Sequence, residues 1–288
     1  MRRRARYDIH MRIFMTGATG YIGSVVTEKL LAAGHRVAGL ARSEDSGARL
    51  TKAGAEAVRG SLDDGDAIAR GAAAADGAIH LAMEFSAEAP KLDGIAIEAI
   101  LRGLDGDAKP FVYTSGVWVM GSTGGHVVDE DAPLNPVPLV AWRPAHEEMV
   151  RKAEGVRGVV IRPAMVFGRS GGFVRSLFRP DATGVVRYVG TGENRWSMVD
   201  VDDLADLYVR ALAAPAGSLY FAAAGPAVPV PVVAQAFAGG AELQGLPVEE
   251  ARRTMGPLAD ALAIDCMVTG LKAVRELGWN PSRVWPAE

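Results

Sequence analysis

The chain has 288 residues, 49% of them apolar and 23% charged, and 31 basic against 34 acidic side chains leave a formal net charge of −3. That balance gives no global reason to expect nucleic acid or an anionic membrane surface as a partner. The one cysteine, Cys266, excludes an intramolecular disulfide and a cysteine-built metal cluster, and no apolar run reaches the about 18 residues of a membrane-crossing helix.

A cytoplasmic protein is expected, with Cys266 a small buried hydrophobe. The opening Met1-Arg2-Arg3-Arg4-Ala5-Arg6 is basic but has no apolar stretch behind it, unlike a secretory signal. Residues 1–10 are expected to be a mobile extension ahead of a natural start at Met11. The first strand follows at once, Arg12 to Thr16, and then a helix from Tyr21 to Ala33. That helix places Ile22, Val25, Val26, Leu30 and Leu31 mostly on one face and stops at Gly34. A returning strand, Arg36 to Leu40, completes a βαβ unit.

Further strands are expected at Glu56 to Arg59, Gly77 to Leu81, Lys109 to Thr114 and Gly158 to Arg162, with helices between them. This alternation predicts an α/β fold of Rossmann type, a doubly wound parallel sheet with helices on both faces. From Val166 the alternation breaks and Gly and Pro become frequent, so a smaller C-terminal substrate lobe is expected. Helices there should run from Val201 to Ala213, opened by Asp202 and Asp203, then Leu258 to Ile264, and Leu271 to Leu277. The division expected is residues 11–165 plus 199–225 as the nucleotide-binding core, and 166–198 plus 226–288 as the lobe.

Between the first strand and helix stands Thr16-Gly17-Ala18-Thr19-Gly20-Tyr21-Ile22-Gly23. The first glycine permits a sharp turn, the second lets backbone approach a pyrophosphate, and the third allows helix and strand to pack closely. The helix N-terminus then offers N–H groups and partial positive charge to the phosphates. Gly17, Thr19, Gly20, Tyr21, Ile22 and Gly23 are therefore assigned to a dinucleotide.

The end of the second strand decides which dinucleotide. An acid there binds the ribose 2′-hydroxyl of NAD and repels a 2′-phosphate. Here the strand runs into Arg42 and Ser43, which suit a 2′-phosphate and predict NADP(H). The plain alternative is an exposed arginine neutralised by Glu44 and Asp45.

With these residues the chain resembles the short-chain dehydrogenase/reductase superfamily, in its extended, epimerase- and dehydratase-like branch, over nearly its whole length from Met11. TGATGYIG is similar to that branch's TGxxGxxG motif. Gly60-Ser61-Leu62-Asp63 resembles the adenine-contacting segment, and Ala78-Ile79-His80-Leu81-Ala82 the fourth strand beside the cofactor. Arg162-Pro163-Ala164-Met165-Val166-Phe167-Gly168 resembles the RPxxVYG element near the nicotinamide. Gly190-Thr191-Gly192 with Trp196 to Ala205, and the tail around Glu276-Leu277-Gly278-Trp279, are similar to later family motifs. The resemblance implies cofactor contacts at Leu62, Asp63, Leu81, Ala82, Thr114, Arg143, Pro163, Ala164 and Val166.

Catalytic positions depart from the family. Relatives combine a Ser or Thr with a YxxxK pair, the Tyr as general acid or base and the Lys lowering its pKa while holding the ribose. A glutamate stands four residues after that Lys. Aligning it with Glu147 puts Arg143 at the lysine and Leu139 at the tyrosine, and no tyrosine lies between Tyr113 and Tyr188. Aligning Gly121 puts Gly116 at the Ser/Thr position, with Ser115 one residue before. Arginine is a poor proton relay because it does not deprotonate in proteins.

A donor must then come from elsewhere, and Ser115, His126 and His146 are the candidates. For each histidine an ordinary surface or packing role is the plainer reading. Met83, Gly116, Trp118, Leu139, Trp142, Phe167 and Trp196 are expected to line an apolar substrate pocket, although core is the plainer reading of each aromatic taken singly. Arg169, Arg187 and Arg195 read as solvated charges. No metal site is expected.

The leading reading is an NADP(H)-dependent oxidoreductase acting on a small hydrophobic or aromatic carbonyl or enone without the Tyr-Lys pair. The alternatives are an epimerase or dehydratase that recycles its cofactor, and a non-catalytic NADP(H)-sensing protein. The partner expected is a small-molecule substrate, with no nucleic acid and no membrane, and the sequence is compatible with a homodimer.

Overall fold

The structure is a computed structural model that describes residues 10–286; apart from His10, the expected extension lies outside the described residues. The first half alternates strand and helix: β1 (Arg12–Thr16), α1 (Tyr21–Ala32), β2 (Arg36–Ala41), α2 (Glu44–Lys52), β3 (Glu56–Arg59), α3 (Gly65–Ala73), β4 (Gly77–His80), α4 (Ala89–Leu104) and β5 (Lys109–Thr114). After α5 (Arg143–Arg151) and β6 (Val156–Pro163) the elements shorten: β7 (Met165–Phe167), α6 (Phe173–Leu177), β8 (Val185–Val189), β9 (Arg195–Trp196) and β10 (Met198–Asp200). Then come α7 (Val201–Ala211), β11 (Ser218–Ala222), β12 (Val228–Pro229), α8 (Val230–Phe237), β13 (Glu242–Leu246), α9 (Val248–Met255), α10 (Leu258–Leu262) and α11 (Leu271–Leu277).

Seven strands form one parallel sheet in the order β11-β6-β5-β4-β1-β2-β3. Six of them repeat the 3-2-1-4-5-6 order of the Rossmann fold, so the expected fold class is the observed one. Contacts divide the chain into two compact units, one running up to Val112 and including Ala153–Gly158, the other made of Tyr113–Lys152 and the residues from Val159 onward.

In the first unit β1 pairs with β2 (Ile13 with Val37) and with β4 (Thr16 with His80). Ile13 to Thr16 are all buried, the continuous burial of a parallel strand covered on both faces. Small residues let the helices come close. A Cβ on Gly71 of α3 would lie 2.4 Å from the Phe14 ring, and one on Gly103 of α4 would lie 2.5 Å from the Ala69 carbonyl.

In the second unit β6 pairs with β11 (Arg162 with Phe221). Three two-stranded pairings follow, β10 with β7, β12 with β9 and β13 with β8. Asp200 caps α7 by accepting from the Asp202 and Asp203 N–H groups at 2.8 and 3.3 Å, so the expected acidic helix start is present. Asp203 in turn holds the tail, accepting from the Ser282 and Arg283 N–H groups at 2.8 and 2.7 Å.

Candidate nucleotide and substrate site

In the first unit the glycine turn is as tight as its sequence requires. Gly17 has φ +71°, and a Cβ there would stand 2.5 Å from the Ala82 nitrogen. A Cβ on Gly23 would stand 2.0 Å from the Gly17 carbonyl oxygen. Gly20 is the N-cap of α1; no side chain caps that helix and no acid stands in its first turn. The helix start therefore keeps its partial positive charge, which suits the pyrophosphate of a dinucleotide.

Beneath the turn lies a polar chain that sequence reasoning missed. Ala82 N–H donates to Thr16 Oγ1 at 3.3 Å, Thr16 Oγ1 hydrogen-bonds His80 Nδ1, and His80 Nε2 stands 3.1 Å from Asp93 Oδ1. All three side chains are buried. A further missed residue is Arg49 of α2, which donates to the Thr19 carbonyl at 2.7 Å and brings a cation to the turn.

Arg42 follows β2 with its side chain 78% exposed, 3.9 Å from the Glu84 carboxylate. Ser43 caps α2, its hydroxyl accepting from Ser46 N–H at 3.2 Å. Asp63 is held below the usual carboxylate range chiefly by its hydrogen bond from Ser61, and Leu62 and Leu81 are half-buried. Met83 is exposed, in the segment after β4.

In the second unit Ser115 leaves β5 with its N–H donating to the Ile161 carbonyl at 2.8 Å. The residue is 7% exposed, and its hydroxyl has no hydrogen-bond partner; neither has the indole N–H of Trp118. Gly116, between them, is extended, and a Cβ there would meet nothing within 4 Å. Thr114 Oγ1 lies 2.7 Å from Tyr208 Oη of α7, and burial raises the Tyr208 phenol above the ordinary tyrosine value.

Arg143 begins α5 and is 5% exposed. Its Nη1 donates to the Thr114 carbonyl at 2.8 Å and its guanidinium lies 4.7 Å from the Trp142 ring centroid. Tyr113 Oη is 3.5 Å from the same nitrogen. One turn on, Glu147 accepts two hydrogen bonds from Arg162, one at 2.9 Å from Nε, with both side chains buried. Glu147 thus grips the arginine of the Arg162-Pro163 motif.

Other candidates have plainer settings. His126 is exposed in a turn, its N–H donating to Thr123. His146 is half-buried, edge-on to Trp142 with ring centroids 5.0 Å apart. Leu139, Trp142 and Val166 are half-buried, and Pro163 and Ala164 are buried. Phe167 packs edge-on against Trp285 at 4.9 Å, and Trp196 packs against Phe178 at 6.2 Å as part of the core. Burial pushes the Cys266 thiol up to about 12, as for an inert core cysteine. Arg169 pairs with Asp202 and Arg187 with Asp181, while Arg195 is exposed. Among the described residues no group of three or more His, Cys, Asp or Glu side chains is arranged to hold a metal ion. No described helix is long and apolar enough to cross a membrane.

The model of the NAD-dependent epimerase/dehydratase family matches residues 13–220, which hold both the glycine turn and the Arg143–Glu147 helix. The chain belongs to this family. It is an atypical member of the extended short-chain dehydrogenase/reductase branch.

An uncharacterised protein of Schizosaccharomyces pombe is 38% identical over 94% of this chain and 95% of its own. A 4-hydroxy-2-methyl-3-oxo-4-farnesyl-3,4-dihydroquinoline-1-oxide ketoreductase of Stigmatella aurantiaca is 28% identical over 73% of this chain and 67% of its own. Among solved structures, a dTDP-glucose 4,6-dehydratase from Streptomyces venezuelae with NAD and TYD bound superposes with a TM-score of 0.78 at 20% identity, covering 96% of this chain and 93% of that one. The family's type is an NAD(P)-dependent oxidoreductase or epimerase, and the likeness to the dehydratase structure is one of fold.

Proposed function

We propose that the chain is an NADP(H)-dependent oxidoreductase that reduces a small hydrophobic or aromatic carbonyl or enone without a Tyr-Lys pair. The observation that carries this reading is the unspent Ser115 hydroxyl. It is buried at the end of β5, lacks a partner, and adjoins Gly116, where a side chain would meet open space. A buried hydroxyl left unsatisfied costs about 1–3 kcal/mol, and a bound oxygen removes that cost.

On the sequence motifs, the pyrophosphate is assigned to the glycine turn and the start of α1, the 2′-phosphate to Arg42, and the nicotinamide ribose to Arg143. The bound cofactor supplies a hydride from its nicotinamide ring. Ser115 donates a hydrogen bond to the substrate oxygen, stabilises the negative charge that builds there as hydride arrives, and passes its proton to that oxygen, regaining one from solvent water. Trp118, with an indole N–H that also lacks a partner, and Leu139 and Trp142 give the substrate an apolar surface. The ketoreductase relative, named for a substrate with an aromatic ring and a 3-oxo group, favours the same substrate class.

The test is NADPH oxidation together with product analysis across a panel of aliphatic ketones, aromatic ketones, enones and sugar nucleotides. Turnover confined to the apolar carbonyls is expected. Turnover of the sugar nucleotides alone would overturn the substrate class. A second reading, a nucleotide-sensing protein without turnover, draws on the absence of all three triad identities at Gly116, Leu139 and Arg143. NADPH binding with no oxidation anywhere on the panel and no conversion of the sugar nucleotides favours it.

A further inference from the structure

The tip of β2 carries no acid, yet an acid stands beside it. Glu84 lies four residues beyond the end of β4, and its Oε2 is 3.9 Å from Nη1 of Arg42, the residue that follows β2. In the sheet, β1 is the strand between β4 and β2. The segment after β4 therefore crosses the end of β1 towards β2, and at its start the Ala82 nitrogen would lie 2.5 Å from a Cβ on Gly17. Both side chains reach solvent, 78% exposed for Arg42 and 41% for Glu84, so a ligand can meet either.

We propose that Glu84 is a coenzyme-specificity residue, supplying from the β4 side the carboxylate that β2 omits. The inference rests on the reading of Arg42 as the partner of the 2′-phosphate. A carboxylate accepts a hydrogen bond from the free 2′-hydroxyl of NADH, whereas next to a 2′-phosphate it meets a like charge. Glu84 also occupies Arg42 until a phosphate takes that cation over. The pair thus admits both coenzymes, with Arg42 pulling towards NADPH and Glu84 pulling back.

Calorimetric dissociation constants for NADPH and NADH on the unmodified chain, Glu84→Gln, Arg42→Ala and the double variant test this. Glutamine keeps the size of the side chain and removes its charge at an exposed position, so folding is not at stake. The expected result is opposite movement. Glu84→Gln tightens NADPH by about two- to five-fold, the size of an exposed charge pair, and weakens NADH by a similar factor. In the Arg42→Ala background the NADPH gain shrinks, because the cation that Glu84 occupied is gone. The NADH loss persists, because the 2′-hydroxyl contact is direct. Equal shifts for both coenzymes, or none, overturn the role of Glu84 while leaving Arg42 standing. An unchanged NADPH to NADH ratio in Arg42→Ala overturns the reading of Arg42 itself, and with it this one.

Discussion

Arg143 Nη1 and the backbone carbonyl of Thr114 are joined by a hydrogen bond of 2.8 Å. Arg143 is therefore tied to the end of the strand that delivers Ser115. An arginine so placed holds a permanent positive charge and five donors but cannot shuttle a proton. It can hold a cofactor and orient a strand end, and it cannot replace the missing tyrosine.

Arg143→Ala is accordingly expected to act on binding. The loss of a charge-assisted hydrogen bond is worth about 1.5–3 kcal/mol, roughly 10-fold or more in the NADPH dissociation constant. Turnover at saturating NADPH should fall less. Arg143→Lys keeps the charge without the planar fork and should lie between. Calorimetry beside steady-state kinetics checks both.

Ser115→Ala should separate stability from activity. Removing an unpartnered buried hydroxyl leaves the folded state unchanged or more stable by about 1 kcal/mol, while turnover drops by roughly 100-fold or more if Ser115 meets the reacting oxygen. His126→Ala and His146→Ala are the comparisons, expected to retain most turnover because the first ring is exposed and the second is packed on Trp142. Urea unfolding and kcat for the three variants provide the measurement.

The Arg162–Glu147 pair is a structural charge pair: both side chains are buried, two hydrogen bonds join them, and Arg162 Nη1 also donates to Met120 Sδ at 3.4 Å. Glu147→Gln or Arg162→Met leaves one buried charge without its partner and should destabilise by about 3–5 kcal/mol. Combining the two should cost less than the sum of the single changes. Denaturant midpoints of the three variants read this directly.

Glu130 carries a pH dependence. Its carboxylate accepts from the Phe221 N–H at 2.8 Å, yet burial, the largest influence, raises its pKa above the ordinary 4.5. A raised carboxyl pKa means stability that is complete below the unfolded value and is lost as pH rises through the folded one. Glu130→Gln, which can still accept that N–H, should remove this loss. The stability of the unmodified chain relative to the variant is expected to fall as pH rises from 4.5. Thermal midpoints of both chains across that range check the sign.

The sheet and the cradle were legible because both are local. Six strands and α1 announce themselves by runs of apolar residues and by glycines that end them. Boundaries moved by a residue or two: β4 stops at His80 and β6 reaches from Val156 to Pro163. β11 escaped because the five residues Ser-Leu-Tyr-Phe-Ala have no periodicity to tell strand from buried helix. The polar contacts of the site were hidden for a different reason. Thr16 meets His80 across 64 residues, Arg49 meets Thr19 across 30, and Thr114 meets Tyr208 across 94. Only the fold brings such pairs together. Tyr208 arrives from α7, outside the interval between Tyr113 and Tyr188 where the sequence motif would place a tyrosine.

The most direct test of the central claim is isotope transfer from NADPH carrying deuterium at both nicotinamide C4 positions, incubated with the chain and an aromatic ketone or enone. The account predicts a reduced product carrying one deuterium from the cofactor, with formation suppressed in Ser115→Ala while NADPH still binds. NADPH bound with its deuterium retained across every carbonyl offered would contradict it.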